Sequence, residues 1–143
     1  MGFPDRIERT MELAHPPAAV WAALTTAEGL GAWFGNAAEI DLRPGGAARL
    51  TWTGGGAVDL RVERVEEPVS FAFTWPVDGL PDGDPRRTLV EFTLEPAGAG
   101  TRLTVIESGF AQLSGDAYRK GYDSNVEGWG RELGELASYL DAA

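Results

Sequence analysis

The chain contains no cysteine. Disulfides, thiolate nucleophiles and cysteine metal sites are therefore excluded. Histidine occurs once, as His15. A Ser-His-Asp triad would have to use it, and a metal site built on several histidines is excluded. His15 abuts Pro16 and Pro17 and has no patterned partner, so it reads as an exposed residue ahead of a helix. Positive charge is scarce: 12 Lys and Arg stand against 22 Asp and Glu, a net charge of −10. That balance argues against nucleic acid or an anionic membrane as the main partner. No apolar run is long enough to span a bilayer. Residues 1–9 lack the apolar core of a signal peptide, which makes the cytoplasm the expected location. Paired carboxylates, phosphate loops and metal-ligand clusters are not visible, so no catalytic residue, metal or cofactor is assigned. Asp78, Asp82 and Asp84 suggest a cation site by residue type, but the prolines and glycines between them read as a solvated loop.

What remains is an ordinary soluble composition. The 143 residues, 43% hydrophobic and 24% charged, suit one domain over 1–143 with one sizeable core. The organising stretch lies at the C-terminal end. Tyr118, Tyr122, Val126, Trp129, Leu133, Leu136 and Leu140 recur at steps of three and four, one face of a helix over about Asp116 to Leu140. The opposite face carries Arg119, Lys120, Glu127, Arg131, Glu132, Glu135 and Ser138, so the helix is amphipathic. Its weakest point is Gly121 to Asn125, where Ser124-Asn125-Val126-Glu127 matches a capping box. The stripe keeps its phase there, which predicts one continuous helix. Gly128, Gly130 and Gly134 each cost such a helix about 1 kcal/mol relative to alanine. Gly130 and Gly134 share a flank of the stripe and allow either close packing or spare space.

Seven strands are expected before it. The first, over Arg6 to Ala14, alternates Ile7, Met11 and Leu13 with polar residues, and Arg9 falls on the apolar side. Pro17 starts a short helix, and Thr25 or Thr26 caps a second that carries Leu30, Trp33 and Phe34. Strands then follow over 39–42, 47–53, 57–66, 69–75, 87–95 and 101–107, with turn residues between them. Leu50 with Trp52, and Phe71, Phe73 and Trp75, fall on common sides. So do Val90 with Phe92, and Leu103 with Val105. Short connections imply an antiparallel meander. The expected fold class is α+β: a curved antiparallel sheet wrapped around the long C-terminal helix, with two short helices after strand one.

Several stretches resemble the START-related, birch-pollen-allergen-like (SRPBCC) superfamily, in the branch named for the activator of the heat-shock protein 90 ATPase. They are residues 17–25 (PAAVWAALT), Leu30-Gly31-Ala32-Trp33-Phe34, Pro44-Gly45-Gly46, Phe73-Thr74-Trp75, Leu103-Thr104-Val105 with Ser108-Gly109-Phe110, and Gly128-Trp129 with Leu133 and Leu136. They cover nearly the whole chain in the expected order. The resemblance implies the helix-grip fold and a cavity between sheet and long helix. The eukaryotic activator carries a separate N-terminal domain; here the first strand is expected within the first ten residues, so the resemblance does not extend to it.

These readings set out a site. The sheet side of the cavity is expected to use Trp52, Phe71, Phe73, Trp75 and Phe92, with Trp33 and Phe34 from the second short helix. The helix side is expected to use Tyr118, Tyr122, Asn125, Trp129, Gly130, Leu133 and Gly134. Glu107 continues the inward parity of Leu103 and Val105, so that it and Arg9 would place charges at the cavity edge; the competing reading sends both to solvent at strand ends. The mouth is expected near the loop from Pro76 to Pro85 or the helix of Trp33 and Phe34. The first functional expectation is binding of a small, largely apolar molecule, by a monomer or homodimer. A second is a chaperone as partner, in a stress-response role that stimulates its ATPase. A third is an enzyme of the cyclase or dehydratase kind, with Glu107 or a cavity tyrosine as acid or base.

Overall fold

The computed structural model describes residues 5–54, 56–77, 80, 83–113 and 115–142. The chain begins with β1 (Arg6–Leu13), which buries Ile7 and Leu13. Two short helices follow, α1 (Pro17–Thr25) and α2 (Ala27–Trp33). Pro17 opens α1, where its missing N–H costs nothing. The hydroxyl of Thr25 donates to the carbonyl of Trp21 (2.7 Å) and that of Thr26 to Ala22 (2.7 Å), and Thr26 also accepts from the Gly29 amide (3.0 Å). Thr26 is thus both the end of α1 and the N-cap of α2. A Cβ on Gly29 would lie 2.7 Å from the Ala23 backbone, so glycine is what lets the two helices meet at this corner.

Six strands come next: β2 (Ala37–Ile40), β3 (Ala47–Trp52), β4 (Gly56–Glu66), β5 (Ser70–Pro76), β6 (Arg87–Ala97) and β7 (Gly100–Ser108). All pairings are antiparallel, in the order β1-β7-β6-β5-β4-β3-β2. Strand β2 lies two residues earlier than the sequence suggests. The Asp41 amide already bonds to the Ala47 carbonyl (2.9 Å), and the Asp41 carboxylate accepts from Arg43 (2.8 Å), so the turn starts there. The β4–β5 pair slips its register between Val62 and Arg64. One extra residue on β4 changes the phase, so that Val62 faces Phe73 and Val65 faces Phe71, while Arg64 turns out to bond Ser70 (2.8 Å) and Glu91 (3.0 Å). Such a bulge bends the strand and deepens the concave face.

The chain ends in α3 (Gly115–Ala142), unbroken through Gly121 to Asn125 as the phase of its stripe requires. Trp129, Leu133, Leu136 and Leu140 are buried along it. Phe71, Phe73, Phe92, Val90, Leu103 and Val105 cover the opposing sheet face, all at 2% exposure or less. Burial of one such side chain contributes roughly 1.5–3 kcal/mol, so this seam dominates the core. A curved seven-stranded sheet gripping one long helix is the expected α+β architecture. Among the described residues no helix is long and apolar enough to cross a membrane.

Candidate functional site

Sheet and helix are sealed at the phenylalanine end of the seam and part at the other. There a pocket of about 710 Å³ opens to solvent between β3–β6, the loop after β5, α2 and the middle of α3. Its floor is aromatic. Phe34 sits 5.7 Å, centroid to centroid, from both Trp75 and Trp129, and those two indoles are 5.8 Å apart at 30°. Trp52 closes the β3 side, and Val77 and Leu80 approach from the loop. Trp33 stacks beneath Phe34 (4.7 Å, 8°) and fixes its own indole N–H on the Ala23 carbonyl (2.7 Å).

Behind the floor lies Glu107, with no solvent exposure. Strand β7 points it inward in the same alternation that buries Leu103 and Val105. A buried carboxylate without partners would be very costly, and here every partner is a neutral donor. The Trp129 indole N–H reaches Oε1 at 2.8 Å and the Trp75 indole N–H reaches Oε2 at 2.7 Å. The Asn125 amide donates to both oxygens at 2.8 and 2.9 Å, and the Thr88 hydroxyl donates to Oε2. Bonds to a charged acceptor are roughly twice as strong as neutral ones. One carboxylate thereby ties β5, β6, β7 and α3 together and sets the pitch of both floor indoles.

The rim is charged. Arg87 is turned against β5: its Nε donates to the Thr74 hydroxyl (3.2 Å), and its Nη2 donates to the carbonyls of Thr74 (2.9 Å) and Asp59 (3.4 Å). Asp84 accepts a bidentate pair from Arg86 (3.0 and 2.8 Å) and the Arg86 backbone N–H (2.9 Å). Those hydrogen bonds hold its carboxyl at about 2, well below the usual range. Glu132 differs. Its side chain is 17% exposed and its nearest cation, Arg131, is 3.7 Å away. Burial pushes its carboxyl above the ordinary value, against the pull of Arg131.

Of the residues expected at the site, Phe34, Trp52, Trp75, Asn125 and Trp129 line this pocket. Trp33, Phe71, Phe73, Phe92 and Leu133 are packed in the core around it. Glu107 is neither at the cavity edge nor in solvent; it supports the floor from behind. Arg9 is exposed, on the edge strand β1, and donates to the neighbouring Glu8 carbonyl (3.4 Å). Tyr118 and Tyr122 stack on each other (5.3 Å, 11°) at the start of α3, with Tyr122 edge-on to Phe110, away from the pocket. Desolvation of the buried Tyr118 pushes its hydroxyl up. Gly130 and Gly134 are a correction: both are exposed, and a Cβ on either would meet nothing within 4 Å. They lie on the solvent flank of the stripe, whereas Gly128, three residues after Asn125, lies on the pocket flank.

Sequence reasoning did not find Gly128, Arg87, Asp84 or Glu132 as lining residues. Gly128 had a signal: with Asn125 and Glu132 it forms a 3–4 spacing beside Trp129. Asp78 and Asp82, weighed as cation ligands, lie outside the described residues. Among the described residues no group of three or more His, Asp or Glu could hold a metal ion.

A curved sheet gripping a helix, with a pocket where the two part, defines a START-like helix-grip protein. The family described as activator of Hsp90 ATPase homolog 1-like protein matches residues 14–141, and the chain belongs to it. Protein MLL2253 from Mesorhizobium loti is similar in structure, with 27% identity over 96% of this chain and 98% of that one (TM-score 0.82). DynU16, a protein of the dynemicin biosynthetic locus, is 25% identical over 97% of this chain and 48% of its own length (TM-score 0.79). The Aha1 dimer from Colwellia psychrerythraea shares the fold at 21% identity over 94% and 95% (TM-score 0.74). No curated protein matches the chain.

Proposed function

We propose that the protein binds a small, largely apolar molecule in the pocket between the sheet and the middle of α3. The observation that carries this reading is the floor: three aromatic rings, two of them indoles on a common anchor, beside about 710 Å³ of open space. That volume falls in the usual range for small-molecule sites, roughly 300–1,000 Å³, and an aromatic floor is joined to a charged rim. The fold supports it, because a sheet that grips a helix along one seam leaves room where the seam opens. Preorganisation supports it too: the floor indoles are already held by Glu107, so a ligand need not order them. The test is displacement of a neutral fluorescent probe, N-phenyl-1-naphthylamine. Saturable binding is expected, and Gly128→Leu should abolish it while the circular dichroism spectrum stays unchanged. A Cβ at Gly128 would meet only Arg131 Nη2, at 3.9 Å, so leucine enters the pocket and leaves the core alone. No saturable binding, or binding untouched by Gly128→Leu, removes the reading.

The family match favours a second reading, stimulation of a chaperone ATPase. It predicts that the purified chain raises the ATP turnover of the chaperone with which it occurs. Absence of both binding and stimulation would end it.

A further inference from the structure

We infer that the ligand of this pocket carries a cationic, hydrogen-bond-donating head on its apolar body, as a protonated aromatic or alicyclic amine does. This rests on the binding reading above and names the class of ligand.

The first argument is an inventory of donors. The indole N–H groups of Trp75 and Trp129 are both spent on Glu107, and one N–H of the Asn125 amide is shared between its two oxygens. A carboxylate offers only acceptors to these groups, so nitrogen must be the Asn125 atom that faces it. The carbonyl oxygen Oδ1 then projects from the other side of the amide, and Asn125 lines the pocket. The floor therefore offers a ligand one side-chain acceptor and the half-buried ring of Trp75; its indole donors are spent, and only the second N–H of the Asn125 amide is left. A ligand that brings a donor finds an acceptor waiting at the floor, whereas the guanidinium donors lie on the rim, those of Arg87 spent on β5 and those of Arg131 turned largely to water.

The second argument concerns the rings. A hydrogen bond from an indole to an anion shifts electron density into the ring, because linked hydrogen bonds polarise one another. Electron-rich indole faces are the best seats for a cation. Phe34, Trp75 and Trp129 stand within 5.8 Å of one another, and the two indoles share one carboxylate.

The third is the charge on the rim, where five charged side chains among the described residues line the pocket: Asp59, Asp84, Glu132, Arg87 and Arg131. Arg87 is committed to the β5 backbone and Asp84 to Arg86. Asp59 pairs with Arg49 at 3.3 Å, outside the pocket. Arg131 is 66% exposed and only loosely paired with Glu132. Glu132 is the acid with the least compensation for its burial, and a cation in the pocket would supply it. An anionic head would meet Glu132 at the rim and Glu107 behind the floor. Gly128 sits between Asn125 and Glu132 along α3 and leaves the space a ligand body would occupy.

The experiment compares three probes with one body: 4-phenylbutylamine, 4-phenylbutanol and 4-phenylbutyrate, each titrated calorimetrically into the full chain at neutral pH. The amine should bind about tenfold tighter than the alcohol, and the carboxylate weakest. Raising the salt should narrow that order. In Glu132→Gln the amine should lose about three- to tenfold while the alcohol is unchanged. A carboxylate that binds as well as the amine, or an amine that binds Glu132→Gln as tightly as the parent, overturns the inference. If all three bind alike, the pocket reading stands and this inference fails. If none binds, both fail.

Discussion

The aromatic side chains on the concave face fall into two groups that share one sheet and one helix yet do different work. Phe71, Phe73 and Phe92 pack on each other at 5.8–6.3 Å, and none is more than 2% exposed. They have no polar atom, so only packing holds them. Trp75 and Trp129 continue the same surface, in contact with Phe73 (5.2 Å) and Phe92 (5.8 Å). Each carries one N–H, and both use it on Glu107. A ring held by packing alone needs neighbours on every side. A ring held by a directed bond at one edge needs fewer neighbours on its faces: Trp75 is half-buried beside the pocket, while Trp129 stays buried at 3% exposure. The contrast separates a region closed by packing from one that borders open space.

The largest effect should come from the sealed group. Phe73→Ala should cost about 3–5 kcal/mol in a denaturant titration, because it empties a fully packed site. A loss below about 1 kcal/mol would mean that the core is not organised around these rings. The anchored group should respond less in stability and more in the pocket. Glu107→Gln keeps the shape but cannot accept from all four donors, so about 1–3 kcal/mol should be lost. The tryptophan emission should change with it, since both floor indoles lose their shared acceptor. Unchanged emission would break the link between Glu107 and the floor.

The helix glycines sharpen the same contrast. Gly134→Leu should raise stability by up to about 1 kcal/mol and leave probe binding intact, since the position faces water. Loss of binding there would place the pocket on the wrong flank of α3. The smallest effect concerns Glu132. Its folded-state carboxyl lies above the ordinary 4.5, so ionising it disfavours the fold. The stability that protonation retains is present below pH 4.5 and is lost as pH rises through the folded value. Glu132→Gln should therefore stabilise the protein at pH 7 by at most about 0.5 kcal/mol after solvent screening, and by nothing at pH 4. A destabilising result at pH 7 would show that Glu132 is paired more strongly than its 3.7 Å contact implies.

The fold was legible because its determinants are periodic. Alternation on the strands and the 3–4 stripe on α3 each report a buried face, and turn residues report where it changes. The bulge at Val62–Arg64 left a mark in the sequence that a simple parity reading passes over: Val58, Leu60 and Val62 alternate with polar residues, then Glu63 and Arg64 stand together and Val65 restarts the apolar series one residue out of phase. The site was legible in part, for the same reason. Phe34, Trp52, Trp75, Asn125 and Trp129 are large or lie beside the stripe, so inward parity finds them. Parity cannot say how far a seam stays closed, which is why Phe71, Phe92 and Leu133 were grouped with them. Nor can it resolve the two flanks of one helix. Gly128 and Gly134 look alike in sequence, but their positions differ by six residues, about 240° beyond a full turn, and so they face different surroundings. The donors of Glu107 come from β5, β6 and α3, brought together only by the closed fold.

The shared carboxylate also has an optical consequence. Trp75 and Trp129 lie 5.8 Å apart at 30°, close enough for their electronic transitions to couple. Coupled indoles give circular dichroism bands whose sign and size depend on distance and angle. One buried group pins both N–H edges and so restrains that geometry. Anything that enters beside the pair, or lets either edge slip, alters the coupling. The protein thus carries an intrinsic spectroscopic gauge at its pocket floor, readable without a label.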